Sequence, residues 1–334
     1  DDIEIVHDDT LYFSAFTFQY GTELWAHHPA NNSTWLVEDV HHGSSSNPGW
    51  LMHFVYNDVL YFTARDMMNV HDLWAHNQSN GSTWKVASFG MAPWTHPGEN
   101  FEFLIGDVLY FDADNELNGR ELMAYNLKTD THWVVADIVP GMTSSNPGVN
   151  MSILVDDTIY FDTDEQWLYA HSTTNHTTWM VHQFTDASPQ DSVKPVAIGS
   201  EFFYKIEEEG SHLELWAYNT ENHSSWMIKR FIPPTSTGTL DIGIIENMNG
   251  ILYLEAITRE YGRELWAYNP MDQSIWQVAN INKANAGTEG PDGNSMPGFS
   301  LSLVHNGYYF FSATDGEYGN ELWKMWFEHT ITYE

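Results

Sequence analysis

Four carboxylates, at Asp2, Glu4, Glu102 and Asp241, have the chemistry to hold a calcium ion together. They recur at two equivalent positions of the strand that begins each repeat described below. If those strands line one channel, the side chains converge there, and Ca²⁺ binds through carboxylate and carbonyl oxygens. The sequence therefore predicts a candidate Ca²⁺ site, with a hydrated and unoccupied channel as the alternative.

A second set of carboxylates precedes a recurring Leu-Trp pair or its equivalent. These residues are Glu23, Asp72, Glu121, Glu214, Glu264 and Glu321. Equivalent positions around a rotation axis cannot converge on one substrate, which argues against a ring of general acids or metal ligands. We expect each carboxylate to lie on the same face as its Trp and to accept hydrogen bonds from the linker to a neighbouring repeat.

Three histidines occupy a repeated position that other repeats fill with tyrosine. The histidines are His27, His76 and His171, and the tyrosines are Tyr125, Tyr218 and Tyr268. This exchange favours aromatic packing with a polar tip over metal binding. The pair His41-His42 stands in a linker, where we expect it to be exposed, with weak metal binding as the alternative.

Asn-x-Ser/Thr sequences, the acceptors of N-linked glycans, occur at Asn31, Asn32, Asn77, Asn80, Asn150, Asn175 and Asn222. Four of these acceptors lie four residues before a recurring Trp, namely Asn31, Asn80, Asn175 and Asn222. Asn is common in turns for structural reasons, so a single match means little. Recurrence in phase at one hairpin predicts glycosylation outside the cell.

All of these residues belong to a repeat that the chain contains seven times. A Leu-Trp pair or its equivalent returns about every 50 residues, and a Leu-Tyr-Phe-like triplet precedes each pair. A second Trp follows the Leu in the first six repeats, at Trp35, Trp84, Trp133, Trp179, Trp226 and Trp276. The pairs are Leu24-Trp25, Leu73-Trp74, Leu122-Met123, Leu168-Tyr169, Leu215-Trp216, Leu265-Trp266 and Leu322-Trp323.

Each repeat predicts four short β-strands, called a to d, because aromatic and β-branched runs alternate with Gly, Asn, Asp and Pro. In the second repeat we expect strands at 50–56, 59–64, 72–76 and 82–87. Such units predict an all-β, seven-bladed β-propeller with four antiparallel strands per blade. It forms a single domain over 1–334, with blades at 1–38, 39–87, 88–136, 137–182, 183–229, 230–279 and 280–334. We expect the chain to start as strand a of the first blade and to end as strand d of the seventh.

Two motifs recur in phase. The first is Gly-x-Glu-Leu-Trp, as in Gly21-Thr22-Glu23-Leu24-Trp25 and Gly262-Arg263-Glu264-Leu265-Trp266, and the second is the linker Asp137-Ile138-Val139-Pro140-Gly141 with Ser144-Ser145-Asn146-Pro147. The chain resembles the Glu-Leu-Trp (ELW) repeat family in these motifs. The resemblance implies a secreted or surface protein of bacteria or archaea and supplies no catalytic residues. The fourth repeat departs from the pattern with Gln166-Trp167-Leu168.

Composition limits the partners. The 334 residues contain 12 Lys+Arg against 46 Asp+Glu, a net charge of −34, which argues against nucleic acid because phosphate binding needs clustered cations. No apolar run is long enough to span a bilayer. The absence of cysteine excludes disulfides, thiol catalysis and cysteine-ligated zinc. Because the sequence begins at Asp1 without Met or a leader, we expect a processed chain or a piece of a longer one.

Apolar side chains crowd the predicted b–c hairpins of the first two blades and the nearby linkers. They are Phe16, Phe18, Tyr20, Met67, Met68 and Val70 in the hairpins, with Trp50 and Trp94 in nearby linkers. Blades three to five place acidic residues there instead, among them Asp112, Asp114, Asp162 and Asp164. An apolar patch beside an acidic arc predicts a protein-binding surface, and aromatics folded back over the blade edge are the alternative.

Three functions stay open. The first is an extracellular or cell-surface glycosylated module for binding and assembly, such as a subunit of a surface layer or filament, with a copy of itself, another surface protein or glycans as partner. The second is a carbohydrate-active enzyme, since two carboxylates can run glycoside hydrolysis. The third is a ligand- or metal-binding module centred on the channel. The regular repeat favours the first, because an enzyme site should break the repeat locally, and we assign no catalytic residues.

Overall fold

The computed structural model describes residues 3–90, 95–184, 188–189, 194–208, 212–232, 242–258, 260–283 and 294–326. These residues form 28 β-strands, all paired antiparallel, in seven successive sheets. The sheets confirm the predicted fold class, an all-β chain of the seven-bladed β-propeller type. Among the described residues, no helix is long and apolar enough to cross a membrane.

The chain divides into two compact units, Asp1–Gly148 and Val149–Glu334. The first unit holds three sheets of four strands, each in chain order. Blade 1 contains β1 (Glu4–His7), β2 (Thr10–Thr17), β3 (Gly21–His28) and β4 (Ser33–Glu38). Blade 2 contains β5 (His53–Tyr56), β6 (Val59–Arg65), β7 (His71–Asn77) and β8 (Ser82–Ala87). Blade 3 contains β9 (Glu102–Ile105), β10 (Val108–Asn115), β11 (Gly119–Asn126) and β12 (Thr131–Ala136).

The second unit holds the other four sheets. Blade 4 contains β13 (Ser152–Val155), β14 (Thr158–Thr163), β15 (Trp167–Ser172) and β16 (Thr178–Gln183). Blade 5 contains β17 (Ser188–Pro189), β18 (Val196–Ile198), β19 (Glu201–Glu208), β20 (His212–Asn219) and β21 (Ser224–Phe231), with β17 and β18 both paired to β19. Blade 6 contains β22 (Ile242–Met248), β23 (Ile251–Thr258), β24 (Gly262–Asn269) and β25 (Ser274–Ala279). Blade 7 contains β26 (Ser302–His305), β27 (Tyr308–Thr314) and β28 (Asn320–Trp326).

The first strand pairs as expected, because β1 is strand a of the first sheet. The strand predicted to end the chain, strand d of blade 7, lies outside the described residues. In blade 2, strand a begins at His53, later than the expected Trp50. The amides of Leu51 and Met52 bond the Thr63 hydroxyl at 3.3 and 3.2 Å, which holds 50–52 in a turn before the strand.

The Leu-Trp pair marks a β-bulge. In each of the six described pairings of strands c and d, the register shifts between the Leu and the aromatic or Met that follows it. In blade 1, for example, Leu24 lies opposite Glu38 while Trp25 lies opposite Leu36. A bulge strengthens the local twist and changes the direction of nearby side chains. In these six blades, strand c therefore twists more strongly at its Leu-Trp pair or the equivalent.

The hydrophobic core consists of clusters between consecutive blades. Leu60, Phe62 and Ala64 of β6 pack against Leu24 and Ala26 of β3, for example, and all five side chains are buried. Similar clusters join blades 2 and 3, blades 4 and 5, blades 5 and 6, and blades 6 and 7. Burial of each large apolar side chain stabilises the fold by roughly 1.5 to 3 kcal/mol.

A linker clamp joins strand c to the segment that follows strand d, as the sequence predicts. Glu23 accepts hydrogen bonds from the amides of Val40 (3.1 Å) and Ser46 (3.0 Å) and from the Ser46 hydroxyl (2.6 Å). Glu121 binds Ile138 and Ser145 in the same way, and Glu264 binds Ile281, Asn282 and Ser295. Burial raises the pKa of Glu264 to about 7, so the clamp holds a desolvated carboxyl group.

Backbone conformation and steric crowding explain why the motif Gly-x-Glu-Leu-Trp begins with glycine. Gly21 and Gly119 have φ of +77° and +70°, a region that favours glycine. A Cβ atom at Gly21 would lie 2.4 Å from the Ser44 carbonyl oxygen, and one at Gly119 would lie 2.8 Å from the Ser144 amide nitrogen. Glycine therefore lets the linker approach strand c closely enough for the clamp to form.

Three of the six carboxylates depart from the clamp: Glu321 of blade 7 is exposed, and those of blades 2 and 5 pair with a cation. Asp72 of blade 2 pairs with Lys85 at 2.8 Å, and Lys85 also lies 3.1 Å from Asp66. Glu214 of blade 5 pairs with Arg230 at 2.7 Å and accepts a hydrogen bond of 2.7 Å from the Trp216 indole. The last contact confirms that the carboxylate and its Trp share a face of the strand. A nearby cation replaces the linker as the partner in both blades.

Candidate functional site

The apolar patch comprises the side chains of Phe16, Phe18, Met67 and Met68, which are all exposed. The rings of Phe16 and Phe18 meet edge to face, with centroids 5.6 Å apart. Tyr20 is half-buried, and its hydroxyl accepts a hydrogen bond of 2.8 Å from the Gln19 amide. The patch is thus formed by two short b–c hairpins, one in each of the first two blades.

Two expectations for this surface need correction. Val70 is buried, because its amide donates to Asp66 at 3.3 Å and its carbonyl accepts from the Asp66 amide at 2.9 Å, which closes the hairpin and turns the side chain inward. Trp94 lies outside the described residues. In the acidic arc, Asp112 and Asp162 are also fully buried rather than exposed. Each accepts two linker amides just before strand a, so these carboxylates hold the turn.

The candidate calcium ligands divide between described and undescribed residues. Glu4 begins β1 and Glu102 begins β9, and both are exposed, while Asp2 and Asp241 lie outside the described residues. Among the residues that can be placed, no group of three or more His, Asp or Glu side chains has the geometry for a metal ion. Glu4 also lines an open cavity of about 470 Å³ in blade 1, together with Ile3, Leu11, Phe13, Ser14, His27 and Thr34. The calcium site stays a prediction.

Four glycan acceptors lie in the c–d hairpins and share one local geometry. Asn31, Asn80, Asn175 and Asn222 are exposed, and each side-chain oxygen accepts the amide and hydroxyl of the Ser or Thr two residues later at 2.6 to 3.0 Å. Asp272 makes the same two contacts with Ser274 at 3.0 and 2.6 Å, although aspartate carries no N-linked glycan. Turn geometry therefore supplies a structural reason for the recurrence of Asn-x-Ser/Thr.

Of the other three acceptors, Asn77 makes the same two contacts, with the amide and hydroxyl of Ser79 at 3.0 and 2.6 Å, whereas Asn32 and Asn150 have different surroundings. Asn32 is exposed and lies at φ 55° in the turn of blade 1. The side-chain nitrogen of Asn150 donates to Asp162 at 2.7 Å, so a glycan at Asn150 would require that bond to break.

The repeated histidines pack as expected. Each of His27, His76 and His171 places Nδ1 within 2.9 Å of the hydroxyl of the threonine seven residues later, a partner that sequence reasoning did not identify. Burial lowers the pKa of His171 to about 4. The expectation for His41-His42 is wrong in part: His41 is buried, whereas His42 is exposed and lies 3.1 Å from Asp39, which raises the pKa of the His42 ring.

A cluster that sequence reasoning missed lies where blades 2 and 3 meet. We call it the Trp50 site and define it as Trp50, His71, His96, Glu99 and Arg120. The ring centroids of Trp50 and His71 are 5.5 Å apart, those of His71 and His96 are 5.0 Å apart, and those of Trp50 and His96 are 5.9 Å apart. Each of the three rings therefore contacts the other two.

The charged half of the Trp50 site is held by Arg120. Its guanidinium lies 2.8 Å from Glu99, donates to the His96 carbonyl at 3.0 Å, and pairs closely with buried Asp112. His96 Nδ1 lies 3.5 Å from the other Glu99 oxygen. Burial raises the pKa of Asp112 to about 6, an effect that Arg120 opposes. Glu99 is thus an exposed carboxylate with a fixed orientation.

His71 is the buried member of the site. Its side chain belongs to a residue that is only 3% exposed, and neither ring nitrogen has a hydrogen-bond partner among the described residues. Burial lowers its pKa to about 4, and the nearby His96 and Arg65 act in the same direction. At neutral pH the ring is therefore uncharged and carries an unused donor and an unused acceptor.

Three members of the Trp50 site differ from the equivalent residues of other repeats, whereas Arg120 recurs as Arg263 in blade 6. His71 stands where blade 1 has Thr22, and Trp50 stands where the linker before blade 4 has Val149. His96 takes the place of Asn47, Asn146 and Met296, all four with positive φ, of 28°, 50°, 49° and 49°. Asn adopts this left-handed backbone more readily than bulkier residues, and Met296 shows that a bulky side chain is also accepted at this position. Alignment of these linker positions would have revealed the signal.

Solved structures with a similar chain course share little sequence with this protein. No protein-family model matches the chain, and no curated protein matches its sequence. An oligogalacturonate lyase in complex with manganese has a TM-score of 0.48 and 11% identity, over 95% of this chain and 85% of that one. An oligogalacturonate lyase from Vibrio parahaemolyticus has a TM-score of 0.48 and 10% identity, over 95% and 86%. The computationally designed Ika8 protein has a TM-score of 0.48 and 6% identity, over 96% and 82%. Such likenesses transfer no substrate, metal or catalytic residue to this chain.

Proposed function

We propose that this chain is an extracellular, glycosylated module for binding and assembly, which contacts another protein chain through the apolar patch. The observation that carries the proposal is the exposure of Phe16, Phe18, Met67 and Met68 on two neighbouring blades. Each large apolar side chain left in water forgoes roughly 1.5 to 3 kcal/mol of burial energy. A second copy of the chain that covers the patch would recover part of this energy.

The hairpin of blade 2 presents its methionines in a fixed conformation. Asp66 accepts a hydrogen bond of 2.7 Å from the Met68 amide, bonds both backbone groups of Val70, and pairs with Lys85 at 3.1 Å. An ordered turn loses less conformational entropy on binding than a loose one. Methionine also adapts its shape to a partner surface. Together these features support a binding role for the exposed Met67 and Met68.

The glycan acceptors support the extracellular part of the proposal. Within each blade, the c–d hairpin and the b–c hairpin lie at opposite ends of the strands, so glycans on Asn31 and Asn80 would leave the apolar patch of blades 1 and 2 uncovered. The resemblance to the ELW repeat family also favours a secreted or surface protein. A surface layer or filament would need head-to-tail contacts, whereas pairing of two patches would stop at a dimer.

Sedimentation velocity tests the assembly. The wild-type chain should sediment as species larger than the monomer. The triple variant Phe16→Ser/Phe18→Ser/Met67→Ser should sediment as the monomer. Met271→Ser, which alters an equally exposed apolar residue in a c–d hairpin, is the matched control and should assemble as the wild type does. Unchanged assembly of the triple variant, or a wild-type chain that stays monomeric at high concentration, would refute the interface.

Intact mass spectrometry of material from the native host tests glycosylation. We expect added mass on at least two of Asn31, Asn32, Asn80, Asn175 and Asn222. A mass equal to that of the bare chain would remove the main support for an extracellular location. It would also leave the turn geometry shared with Asp272 as the full reason for the repeated Asn-x-Ser/Thr pattern.

A further inference from the structure

The Trp50 site combines an exposed aromatic ring with an exposed, oriented carboxylate. Trp50 is 44% exposed, and the Glu99 side chain is exposed to the same extent. His96 touches both, through its ring contact with Trp50 and its 3.5 Å approach to Glu99. A ligand that lies on the indole therefore meets a carboxylate oxygen and an imidazole at its edge.

The charges of the site select against ionic ligands. Arg120 pairs with both Glu99 and Asp112, and Arg65 lies close enough to affect the titration of His71, so two arginines balance the two carboxylates. A cation on Trp50 would meet both arginines, and an anion would meet Glu99 and a chain of net charge −34. What remains is a neutral ligand with an apolar face and several hydroxyl groups.

We propose that the Trp50 site binds a neutral saccharide unit, which stacks on the Trp50 indole and shares hydroxyl hydrogen bonds with Glu99 and His96. The apolar face of a sugar ring matches an exposed indole, and its hydroxyls both donate and accept. Glu99 accepts from a hydroxyl, and the pairing with Arg120 keeps its oxygens in place, which limits the entropy lost on binding.

Two structural departures support a ligand at this position. His71 contacts the indole at 5.5 Å between ring centroids, and neither of its ring nitrogens has a hydrogen-bond partner in the described part of the chain, an arrangement of a buried polar group that stability alone would not favour. His96 occupies a left-handed backbone position at which two equivalent linkers have asparagine and a third has Met296. Departures of this kind cluster at functional sites. None of the five residues belongs to the apolar patch, so this inference and the proposed assembly are independent.

Isothermal titration with the full chain tests the proposal. The neutral probes are oligosaccharides of glucose, mannose, galactose and N-acetylglucosamine; choline is the cationic probe and trigalacturonate the anionic probe. We expect at least one neutral probe to bind and Trp50→Ala to weaken that binding by about tenfold or more. Trp84→Ala is the matched control, because Trp84 is 39% exposed in the same blade, and it should change the affinity by less than about twofold.

A second variant guards against a folding defect in Trp50→Ala. Glu99→Gln keeps the size of the side chain and removes the charged acceptor, and it should weaken the neutral probe by several fold while circular dichroism stays unchanged. The proposal is overturned if no neutral probe binds the wild-type chain, if neither variant alters the affinity, or if choline or trigalacturonate binds more tightly than every neutral probe in a Trp50-dependent manner.

Discussion

The linkers that leave blades 2 and 3 solve the same structural problem in different ways. In blade 3, Glu121 accepts three hydrogen bonds from the linker, two of them from Ser145. In blade 2, the shorter Asp72 pairs with Lys85 instead, and the hydroxyl of the equivalent linker residue, Thr95, has no partner among the described residues. The linker without the clamp is also the one that carries His96 and Glu99.

This difference identifies the linker that lacks the repeated hydrogen bonds and contributes to the proposed ligand site. Where the clamp is intact, small serines fill the linker and their polar groups are satisfied by strand c. In the linker after blade 2, where it is absent, His96 occupies the position of Asn47 and Asn146 and contributes one ring to the Trp50 site, whereas Trp50 comes from the clamped linker after blade 1. Blades 1 and 3 thus hold stabilising linkers, and the linker after blade 2 is available for a ligand.

Removal of the clamp should have the largest effect on stability. Glu121→Ala leaves buried amide and hydroxyl donors unpaired, at about 1 to 3 kcal/mol for each donor, and we expect a loss of about 3 kcal/mol. Asp72→Ala should lose less, because Lys85 keeps its contact with Asp66. Urea unfolding followed by tryptophan fluorescence measures both, with the exposed Glu116→Ala as control. Equal losses at Glu121 and Asp72 would contradict the contrast between the two linkers.

A fall in pH should reduce the stability contributed by His71 of blade 2 more than that contributed by the equivalent Arg120 of blade 3. The pKa of His71 is about 4 in the folded protein, against about 6.5 in an unfolded chain. The folded state therefore binds fewer protons between these values, so the stability from neutral His71 is complete above about pH 6.5 and is lost as the pH falls toward 4. His96 and Arg65 face the ring and oppose its protonation, whereas Trp50 does not titrate in this range.

Urea unfolding at pH 7 and pH 5 measures the effect. Between these two values the wild type should lose about 2 kcal/mol more than His71→Phe does. Buried carboxyl groups with a raised pKa, such as Glu264, change stability in the opposite direction, but they are common to both proteins and cancel in the difference. His305→Phe alters an exposed ring and should show the wild-type slope. An unchanged slope in His71→Phe would mean that His71 is not buried as a neutral ring.

Exchange of histidine and asparagine at the left-handed linker position should change the stability by a smaller amount. His96→Asn restores the residue found at Asn47 and Asn146 in a left-handed backbone, and we expect a gain of about 0.5 to 1 kcal/mol in stability. Asn47→His should lose a similar amount. Thermal unfolding measures both changes. If His96→Asn destabilises the protein, then His96 contributes more through its rings and its contact with Glu99 than its backbone conformation costs.

The smallest change in stability is expected at the c–d turns, where blades 2 and 6 make the same contacts. Asn80→Asp should leave the stability of the unglycosylated chain unchanged within about 0.5 kcal/mol, because Asp272 makes the same turn contacts in blade 6. Asn80→Ala should lose about 0.5 to 1 kcal/mol, since the Ser82 amide and hydroxyl lose their acceptor. A clear loss in Asn80→Asp would show that the two turns are not equivalent.

Much of the fold could be predicted from the sequence because it depends on local and repeated features. Alternating apolar residues specify strands, and the in-phase Glu before each Leu predicts a hydrogen-bonding role that Glu23, Glu121 and Glu264 confirm. The β-bulge at each Leu-Trp pair could not be predicted, since it depends on how strand d pairs with strand c. The burial of Val70 was missed for a similar reason: the contacts of Asp66, not hydropathy, decide which way the hairpin turns.

By itself the sequence determined the number of blades, the order of strands and the positions of the glycan acceptors, because each follows from a periodic pattern along the chain. Only the tertiary structure decided that Trp50, His71, His96, Glu99 and Arg120 form one site. These residues come from two linkers and two strands that are separate in the sequence. The packing of blade 2 against blade 3 brings them together, since the core between these blades fixes the distance between strands β7 and β11 and the linkers that cover them.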